Sequence, residues 1–260
     1  MKNSSPRPNP RLSQNFLVDP NYQRRILAAM DLTNDDVLLE IGPGRGALTK
    51  NLLDKIKHLY AVEKDSRLFK LLQEKFKTNS LTLLNKDFLS IDLLGFEKVT
   101  KIFGNIPYHI STPIIEKLLD DQALNAEIFL TVQWEFGRRL AAMPNNKIYG
   151  RLSCFVQYYS EVEILFTIPA KAFYPQPKVQ SCFIRMRKRP CPYQAKNEVF
   201  LFHLIQQAFQ QRRKKIGNAL AGFVDKDRLQ MAFVICQIGE NLRAENLGLK
   251  EYVDLANQLS

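Results

Sequence analysis

The chain has 260 residues and a net charge of +11, with 45% hydrophobic and 24% charged residues. This composition is that of a globular protein and excludes a low-complexity or disordered chain. No apolar run approaches the roughly 20 residues that cross a bilayer, and the polar, proline-containing first residues lack the apolar centre of a signal peptide. We therefore expect a cytoplasmic protein, built as one large α/β domain or as one such domain with a small appendage.

Strand and helix patterns alternate along most of the chain. Short apolar runs predict seven strands, over residues 37–41, 58–63, 81–87, 101–105, 126–133, 163–169 and 181–187. Apolar residues at helical spacing predict helices between them, over 47–56, 66–76, 112–119, 135–143 and 151–161. Thr112 and Pro113 are expected as the N-cap and the first residue of the third helix.

This alternation predicts an α/β fold with a seven-stranded, mostly parallel sheet covered by helices on both faces. The last two strands are expected to be antiparallel neighbours, because only the loop 170–180 joins them. Prolines in the stretch RPCPYQA mark a linker. Only helical patterns follow Asn197, and the first of them has one apolar face formed by Val199, Phe202, Ile205 and Phe209. We therefore predict a first domain over residues 1–190 and a small C-terminal α-helical domain over 191–260.

The four cysteines predict neither a disulfide framework nor a metal centre. Cys154, Cys182, Cys191 and Cys236 lie far apart, form no CxxC pair and are accompanied by only three histidines. Cysteine and histidine metal sites have their ligands at short, regular spacings. We interpret the cysteines as reduced, structural thiols and expect no metal.

The first strand runs into a glycine-rich loop, E-I-G-P-G-R-G-A at residues 40–47. Glycines there let the backbone turn sharply and approach a ligand closely. Gly42, Gly44 and Ala47 match the dinucleotide pattern G-x-G-x-x-[GA], with Glu63 about 20 residues on to hold a ribose, so nicotinamide binding has to be considered. Glu40 argues against it, because a carboxylate just below the loop repels a pyrophosphate but suits a cationic ligand. S-adenosylmethionine is such a ligand, since it carries an ammonium and a sulfonium and no phosphate.

Two carboxylates end strands at the same edge of the predicted sheet. Glu63 follows the second strand and Asp87 the third, and α/β sheets bind ligands at the carboxyl ends of their strands. We expect Glu63 to accept hydrogen bonds from both ribose hydroxyls and Asp87 to accept one from the adenine amino group of the cofactor.

The fourth strand ends in G-N-I-P-Y, residues 104–108. An exocyclic adenine amine is a poor nucleophile because its lone pair is delocalised into the ring, and acceptors for both N–H groups favour a pyramidal, reactive nitrogen. The Asn105 side-chain oxygen and the Ile106 carbonyl are such acceptors. Pro107 fixes the turn without a competing donor, and Tyr108 offers a ring on which a flipped base can stack. The motif predicts adenine methylation, with a plain helix-capping loop as the structural alternative.

The positive charge is concentrated between Ala170 and Leu220. This segment contains 11 basic residues and one acid, Glu198, and so accounts for +10 of the net charge. Such a segment in an otherwise neutral chain predicts a polyanionic partner, nucleic acid before a membrane surface. Phe173, beside prolines in this segment, is either a second stacking ring or a packing residue. The residues expected to contact RNA are Lys178, Arg185, Arg187, Arg212, Arg213, Lys214 and Lys215, the last four fanning out from a helix.

These residues together resemble the rRNA adenine dimethyltransferase family of class I S-adenosylmethionine-dependent enzymes. N-I-P-Y after E-x-G-x-G is similar to the signature of adenine-N6 methyltransferases. QNFLVD (14–19) resembles the family's cofactor-covering segment, FYPQPKVQS (173–181) its F-x-P-x-P-x-V-x-S loop, and QRRKK (211–215) its basic C-terminal segment. The resemblance spans nearly the whole chain and is close to the type that modifies small-subunit rRNA.

The resemblance implies a Rossmann-like class I methyltransferase fold, S-adenosylmethionine as cofactor and a C-terminal domain that contacts RNA. The implied substrate is a pair of adjacent adenosines in the loop of the 3′-terminal hairpin of 16S rRNA, each dimethylated at N6 in a pre-assembled small subunit. The implied cofactor contacts are Asn15, Leu17, Gly42, Glu63, Asp87 and Asn105, to which the loop pattern adds Glu40 and Gly44. The residues implied around the target adenine are Asn105, Ile106, Pro107, Tyr108 and Phe173.

Three alternatives stay open on the residues alone. An Erm-type methyltransferase shares these motifs and acts on large-subunit rRNA. A non-catalytic RNA-binding assembly factor would keep the fold, although intact Asn105 and Tyr108 disfavour it. An NAD-dependent dehydrogenase is more distant, because neither a catalytic His nor a Tyr-x-x-x-Lys arrangement is evident. We expect a monomer without a membrane partner.

Overall fold

A computed structural model describes residues 6–96, 98–121 and 124–260, without the side chain of Arg11. The strands in these ranges are β1 (Phe16–Leu17), β2 (Val37–Ile41), β3 (His58–Val62), β4 (Leu81–Leu84), β5 (Lys101–Asn105), β6 (Glu127–Gln133), β7 (Ser160–Ile168), β8 (Phe173–Tyr174) and β9 (Ser181–Lys188). The α-helices are α1 (Pro20–Ala29), α2 (Thr49–Leu53), α3 (Ser66–Lys75), α4 (Ser111–Asp120), α5 (Trp134–Leu140), α6 (Arg151–Tyr159), α7 (Glu198–Gln210), α8 (Ile216–Leu220), α9 (Lys226–Ile235) and α10 (Leu249–Leu259). No helix in the described ranges is long and apolar enough to cross a membrane.

Seven of the strands form one sheet in the order β4-β3-β2-β5-β6-β9-β7. The strands from β4 to β6 along this order are parallel, and β9 runs antiparallel to β6. The prediction of a seven-stranded, mostly parallel sheet is confirmed. Because β2 lies between β3 and β5, the chain order reverses at β2, and the carboxyl ends of these three strands border the crevice in which such sheets bind ligands.

The central strands are buried on both faces, which explains their continuous apolar runs. In β6, Ile128, Phe129 and Leu130 are each at most 1% exposed. Helices that cover both faces of a parallel sheet remove the alternation that a half-exposed strand would show.

The segment 170–180, predicted as a loop, contains the short strand β8. β8 pairs antiparallel with β1, so that Phe16 lies opposite Tyr174 and Leu17 opposite Phe173. A two-residue strand is too short to show periodicity, and its partner lies far away in the sequence. The pairing joins the segment before α1 to the segment before β9, both within one unit of the protein.

The predicted N-cap of α4 is wrong. The helix begins at Ser111, and its N-cap position is Ile110, which makes no side-chain capping bond. A 3-10 turn over Tyr108–Ile110 leads directly into α4, so the chain is already helical where Thr112 was expected to cap it. The Ser111 hydroxyl donates to the Pro107 carbonyl at 3.3 Å and ties this junction together.

The chain forms two compact units. The first comprises Met1–Gly137 and Glu163–Lys188, and the second comprises Arg138–Val162 and Arg189–Ser260. The sequence-based division at residue 190 does not anticipate the segment 138–162 in the second unit. This segment belongs there because Cys154 and Tyr158 of α6 are part of the same hydrophobic core as the C-terminal helices.

The apolar face of α7 differs from the predicted one at its start. Leu201, Leu204, Ile205 and Ala208 are fully buried, whereas Val199 is 68% exposed. The buried positions follow the i, i+3, i+4, i+7 spacing of a single helix face. Phe202 and Phe209 pack at the border of this core. The prediction was therefore wrong for Val199, and it missed the buried residues Leu201, Leu204 and Ala208.

Candidate active site

A cavity of about 220 Å³ lies in the first unit at the carboxyl ends of β2, β3 and β5. Segments distant in sequence converge on it because the parallel strands end at the same edge of the sheet. The residues predicted for the cofactor and in the N-I-P-Y motif all line it: Asn15, Leu17, Glu40, Gly42, Gly44, Glu63, Asp87, Asn105, Ile106, Pro107 and Tyr108.

The glycine-rich loop forms one wall of this cavity. Gly42 and Gly44 have φ angles of +70° and +60°, in the left-handed region that favours glycine. A Cβ on Gly42 would meet no atom within 4 Å, so the backbone there is open to the close approach of a ligand. The Gly44 N–H donates to Oε2 of Glu63 at 3.0 Å and fixes the loop against the end of β3.

Two carboxylates are buried at the base of the loop. Glu40 is 2% exposed and Glu63 is 5% exposed. The Thr49 hydroxyl donates to Glu40 at 2.8 Å, and the Asp65 N–H donates to Glu63 at 2.8 Å. Burial is the main cause that raises the pKa of each carboxyl to about 7, and the charge of Glu63 contributes to the rise for Glu40. Among the described residues, no Lys or Arg pairs with either carboxylate, so the pair is complementary to a cationic ligand that also offers hydroxyl donors.

The raised pKa of Glu40 predicts a pH-dependent stability that Glu40→Gln removes. Between its ordinary pKa of 4.5 and about 7 the folded protein keeps a proton on Glu40 that the unfolded chain releases. Its contribution to stability is therefore complete below pH 4.5 and is lost as the pH rises through about 7. Between pH 5 and pH 8 we expect the wild type to lose on the order of 3 kcal/mol of unfolding free energy relative to Glu40→Gln. Urea unfolding of both proteins at several pH values measures this difference, and a difference that does not vary with pH would contradict the buried, unpaired state of Glu40.

Asp87 occupies a different environment, at the end of β4. Its carboxylate accepts from Lys64 Nζ at 2.6 Å and from the Leu89 N–H at 3.0 Å. The hydrogen bond from Lys64 lowers the pKa of Asp87, so that Asp87 is ionised. Lys64 and Leu89 both line the cavity and were not singled out from the sequence, although each lies within two residues of a predicted carboxylate.

Two side chains of the N-I-P-Y motif make hydrogen bonds to segments distant in sequence. Asn105 Nδ2 donates to the Asn15 carbonyl at 2.9 Å, and the Tyr108 hydroxyl is 2.8 Å from the Ser181 hydroxyl. This bond orients the Asn105 amide with Nδ2 toward Asn15. Asn105 Oδ1 remains available as an acceptor, because no donor among the described residues binds it. Ser181 was not assigned a role from the sequence; the signal was its place as the last residue of F-Y-P-Q-P-K-V-Q-S.

Phe173 does not line the cavity. Its side chain is 3% exposed and packs in the hydrophobic core of the first unit. Successive side chains of a strand point to opposite faces, so Tyr174 points away from that core and is 55% exposed. The stacking role predicted for Phe173 does not match this buried position.

The predicted RNA-binding cations fall into two groups. Lys178, Arg213, Lys214 and Lys215 are exposed. Arg185 pairs with Glu163 and Arg187 with Glu127, while Arg212 donates to the carbonyls of Lys147 and Tyr149 at 3.0 Å each. The predicted helical fan of residues 212–215 is wrong, because α7 ends at Gln210 and Lys215 is already the N-cap of α8.

The four cysteines are free thiols. Burial raises the pKa of Cys154 and of Cys182 to about 12, so both are protonated at neutral pH. Within the described residues, no three His, Cys, Asp or Glu side chains are grouped so as to hold a metal ion.

Comparisons with known proteins identify the family of the chain. The profile of the family described as ribosomal RNA adenine dimethylase matches residues 6–260. Proteins named ribosomal RNA small subunit methyltransferase A are 38% identical in Halothermothrix orenii, over 95% of this chain and 87% of the relative, and 36% identical in Francisella tularensis subsp. novicida, over 96% of each.

Solved structures share the fold over nearly the whole chain. A dimethyladenosine transferase from Plasmodium falciparum superimposes with a TM-score of 0.81 at 23% identity, covering 92% of this chain and 95% of the other. The 23S rRNA methyltransferase ErmE superimposes with a TM-score of 0.73 at 24% identity, covering 94% and 99%. The parallel sheet and the cavity at the carboxyl ends of its strands are consistent with these matches. The chain therefore belongs to the ribosomal RNA adenine dimethylase family, and it is an S-adenosylmethionine-dependent enzyme that methylates adenine in rRNA.

Proposed function

We propose that the protein dimethylates N6 of two adjacent adenosines in the loop of the 3′-terminal hairpin of 16S rRNA, in the assembled small subunit. The observation that carries the adenine chemistry is the oriented amide of Asn105, whose donor is bound to the Asn15 carbonyl at 2.9 Å. The choice of the small subunit is supported by the name that relatives at 36% to 38% identity share.

The cavity suits S-adenosylmethionine by the chemistry of its side chains. Glu40 and Glu63 are buried carboxylates without an ion-pair partner among the described residues, so a cationic ligand with a ribose diol can use them, and Gly42 leaves the cavity wall open. We assign the amino-acid part of the cofactor to the side of Glu40, the ribose to Glu63, and the adenine to Asp87, with Asn15 and Leu17 closing the site. The cofactor supplies an electrophilic methyl group on its sulfonium.

The chain's own groups prepare the target amine for methyl transfer. Asn105 Oδ1 and the Ile106 carbonyl accept hydrogen bonds from the two N–H groups, which directs the nitrogen lone pair away from the ring. Pro107 holds the turn, with a φ of −61°. The Tyr108 ring stacks on the flipped base, and its hydrogen bond to Ser181 fixes the ring. Burial raises the pKa of Tyr108, so it acts as a neutral phenol and not as a base.

The subunit assignment is tested by incubating the protein with labelled S-adenosylmethionine and with 30S or 50S particles from cells that lack this methylation. Nucleoside analysis is expected to show dimethyladenosine from 30S particles only. Dimethyladenosine from 50S particles would contradict the proposal and favour an Erm-type activity, whose solved example ErmE shares this fold. Binding without any methyl transfer would favour an assembly factor.

The exposed cations that follow α7 are expected to contact rRNA phosphates. Replacing Arg213, Lys214 and Lys215 together by Gln should weaken binding to 30S particles and make it less sensitive to salt. Each phosphate that the variant no longer neutralises removes about 0.7 to 0.9 from the slope of log K against log salt, so three such phosphates remove about 2 to 3. A salt titration of 30S binding measures the slope, and an unchanged slope would contradict RNA docking by this segment.

Arg212 provides the matched control for this triple variant. Its guanidinium bridges two carbonyls of the second unit and lies 3.8 Å from Glu245. We expect Arg212→Gln to lower the unfolding free energy by about 1 to 2 kcal/mol and to leave the salt slope unchanged. The triple variant is expected to leave the unfolding free energy unchanged and to lower the salt slope.

A further inference from the structure

A second cavity, of about 430 Å³, adjoins the cofactor cavity within the first unit. The two cavities share the wall residues Ser13, Gln14, Asn15 and Arg45. The second cavity continues from these residues to Arg7, Tyr174 and several prolines, and none of the described residues that line it carries a carboxylate. It therefore combines positive charge with an aromatic ring, next to the place where methyl transfer occurs.

The position of Tyr174 follows from the pairing of β1 with β8. Phe173 faces the core, so the alternation of the strand turns Tyr174 outward, where it lies opposite Phe16. Tyr174 is 55% exposed. An exposed aromatic ring on a strand tethered by backbone hydrogen bonds is a rigid surface on which a base can stack.

Arg45 lies beside both rings with its charge uncompensated. Its guanidinium is 4.6 Å from the centre of the Phe16 ring and 6.0 Å from that of Tyr174. Nη2 donates to the Pro6 carbonyl at 2.9 Å, and Nε is buried without a hydrogen-bond partner. No carboxylate among the described residues pairs with Arg45, so an anion is the missing complement, and guanidinium groups bind phosphate well.

We propose that this second cavity binds the rRNA nucleotide next to the target adenosine, with its base on Tyr174 and its phosphate at Arg45. The inference rests on the proposed function, because a flipped adenosine enters the cofactor cavity with its neighbour still attached. The shared wall at Asn15 and Arg45 connects the two sites, and Asn15 also orients Asn105 through its carbonyl. Tyr174 and Arg45 are thus positioning residues, which hold the RNA strand while Asn105 acts on the amine of the target adenine.

Tyr174→Ala and Tyr174→Phe test the stacking in the full-length protein. At limiting concentrations of 30S particles we expect Tyr174→Ala to lower the single-turnover methylation rate about 5- to 150-fold, the range for removal of one base stack. Tyr174→Phe keeps the ring and should stay within about twofold of the wild type. The dissociation constant for S-adenosylmethionine, measured by calorimetry without RNA, should be unchanged in both variants. For binding to 30S particles, Arg45→Gln should reduce the slope of log K against log salt by about 0.7, and Arg45→Lys should restore the wild-type slope.

An unchanged rate for Tyr174→Ala would overturn the inference, and so would a parallel decrease of cofactor affinity, since the ring would then only support the cofactor wall. The comparison is run on 30S and 50S particles in parallel. Methylation of 50S particles by the wild type would contradict the proposed function, while the effect of Tyr174→Ala on those particles would still decide the role of the ring. A wild type that methylates neither particle would overturn both.

Discussion

Asn105→Ala is expected to lower the single-turnover rate of methyl transfer about 100- to 1000-fold at saturating cofactor, because it removes an acceptor positioned for the transition state. The folded state and RNA binding should persist, since within the described residues the side chain makes a single hydrogen bond, to the Asn15 carbonyl. Cofactor affinity should also fall, because Asn105 lines the cofactor cavity. Single-turnover rates over a range of cofactor concentrations separate the two effects.

Asn105→Asp distinguishes the acceptor from the bond that orients it. The aspartate keeps an acceptor oxygen but has no donor for the Asn15 carbonyl, so its rate should lie between those of the wild type and Asn105→Ala. Thermal unfolding checks that each variant is folded. A wild-type rate for Asn105→Ala at saturating cofactor would refute the catalytic role.

Glu63→Ala is expected to raise the dissociation constant for S-adenosylmethionine about 10- to 150-fold, the range for hydrogen bonds to a charged group. Glu63 anchors the Gly44 N–H at 3.0 Å and the Asp65 N–H at 2.8 Å. A carboxylate has lone pairs beyond those two bonds for the ribose hydroxyls. Its removal therefore deletes ligand contacts and frees the glycine-rich loop at the same time. Calorimetry on the protein without RNA measures the change.

Glu74→Ala is a matched control for Glu63→Ala, because Glu74 is an exposed carboxylate on α3. The control should bind the cofactor as the wild type does. Cofactor binding stabilises the folded state by mass action, so added S-adenosylmethionine should raise the melting temperature of the control and of the wild type more than that of Glu63→Ala. Equal affinities for the two variants would rule out Glu63 as a ribose ligand.

Much of the site could be predicted because its residues lie in short contiguous motifs at strand ends. Glu40 and Gly42 lie at the end of β2, Glu63 follows β3, and Asn105 ends β5. Parallel strands that alternate with helices must present their carboxyl ends at one edge, so a correct interpretation of the alternation was sufficient to bring these residues together. The chemical role of each motif could then be predicted from its residue types, which are known from the sequence.

Local sequence could not predict contacts between segments far apart in the chain. The hydrogen bond from Asn105 to Asn15 joins residues 90 positions apart, and the one from Tyr108 to Ser181 joins residues 73 apart. Nothing in a local window distinguishes such partners from other loop residues. The acceptor role of Asn105 could be inferred from its motif, but the orientation of its amide required the tertiary structure.

The sequence by itself determined the seven-stranded sheet, the helical C-terminal region, the glycine-rich loop and the adenine motif, because periodicity and motif spacing are local properties. Only the tertiary structure decided which ring and which cations face outward. Phe173 and Tyr174 are adjacent aromatics, and the pairing of β8 with β1 buries the first and exposes the second. Arg212 and Arg213 are adjacent arginines, and the carbonyls of Lys147 and Tyr149 engage only the first. Burial and pairing depend on neighbours brought close by folding, and those neighbours are absent from the local sequence.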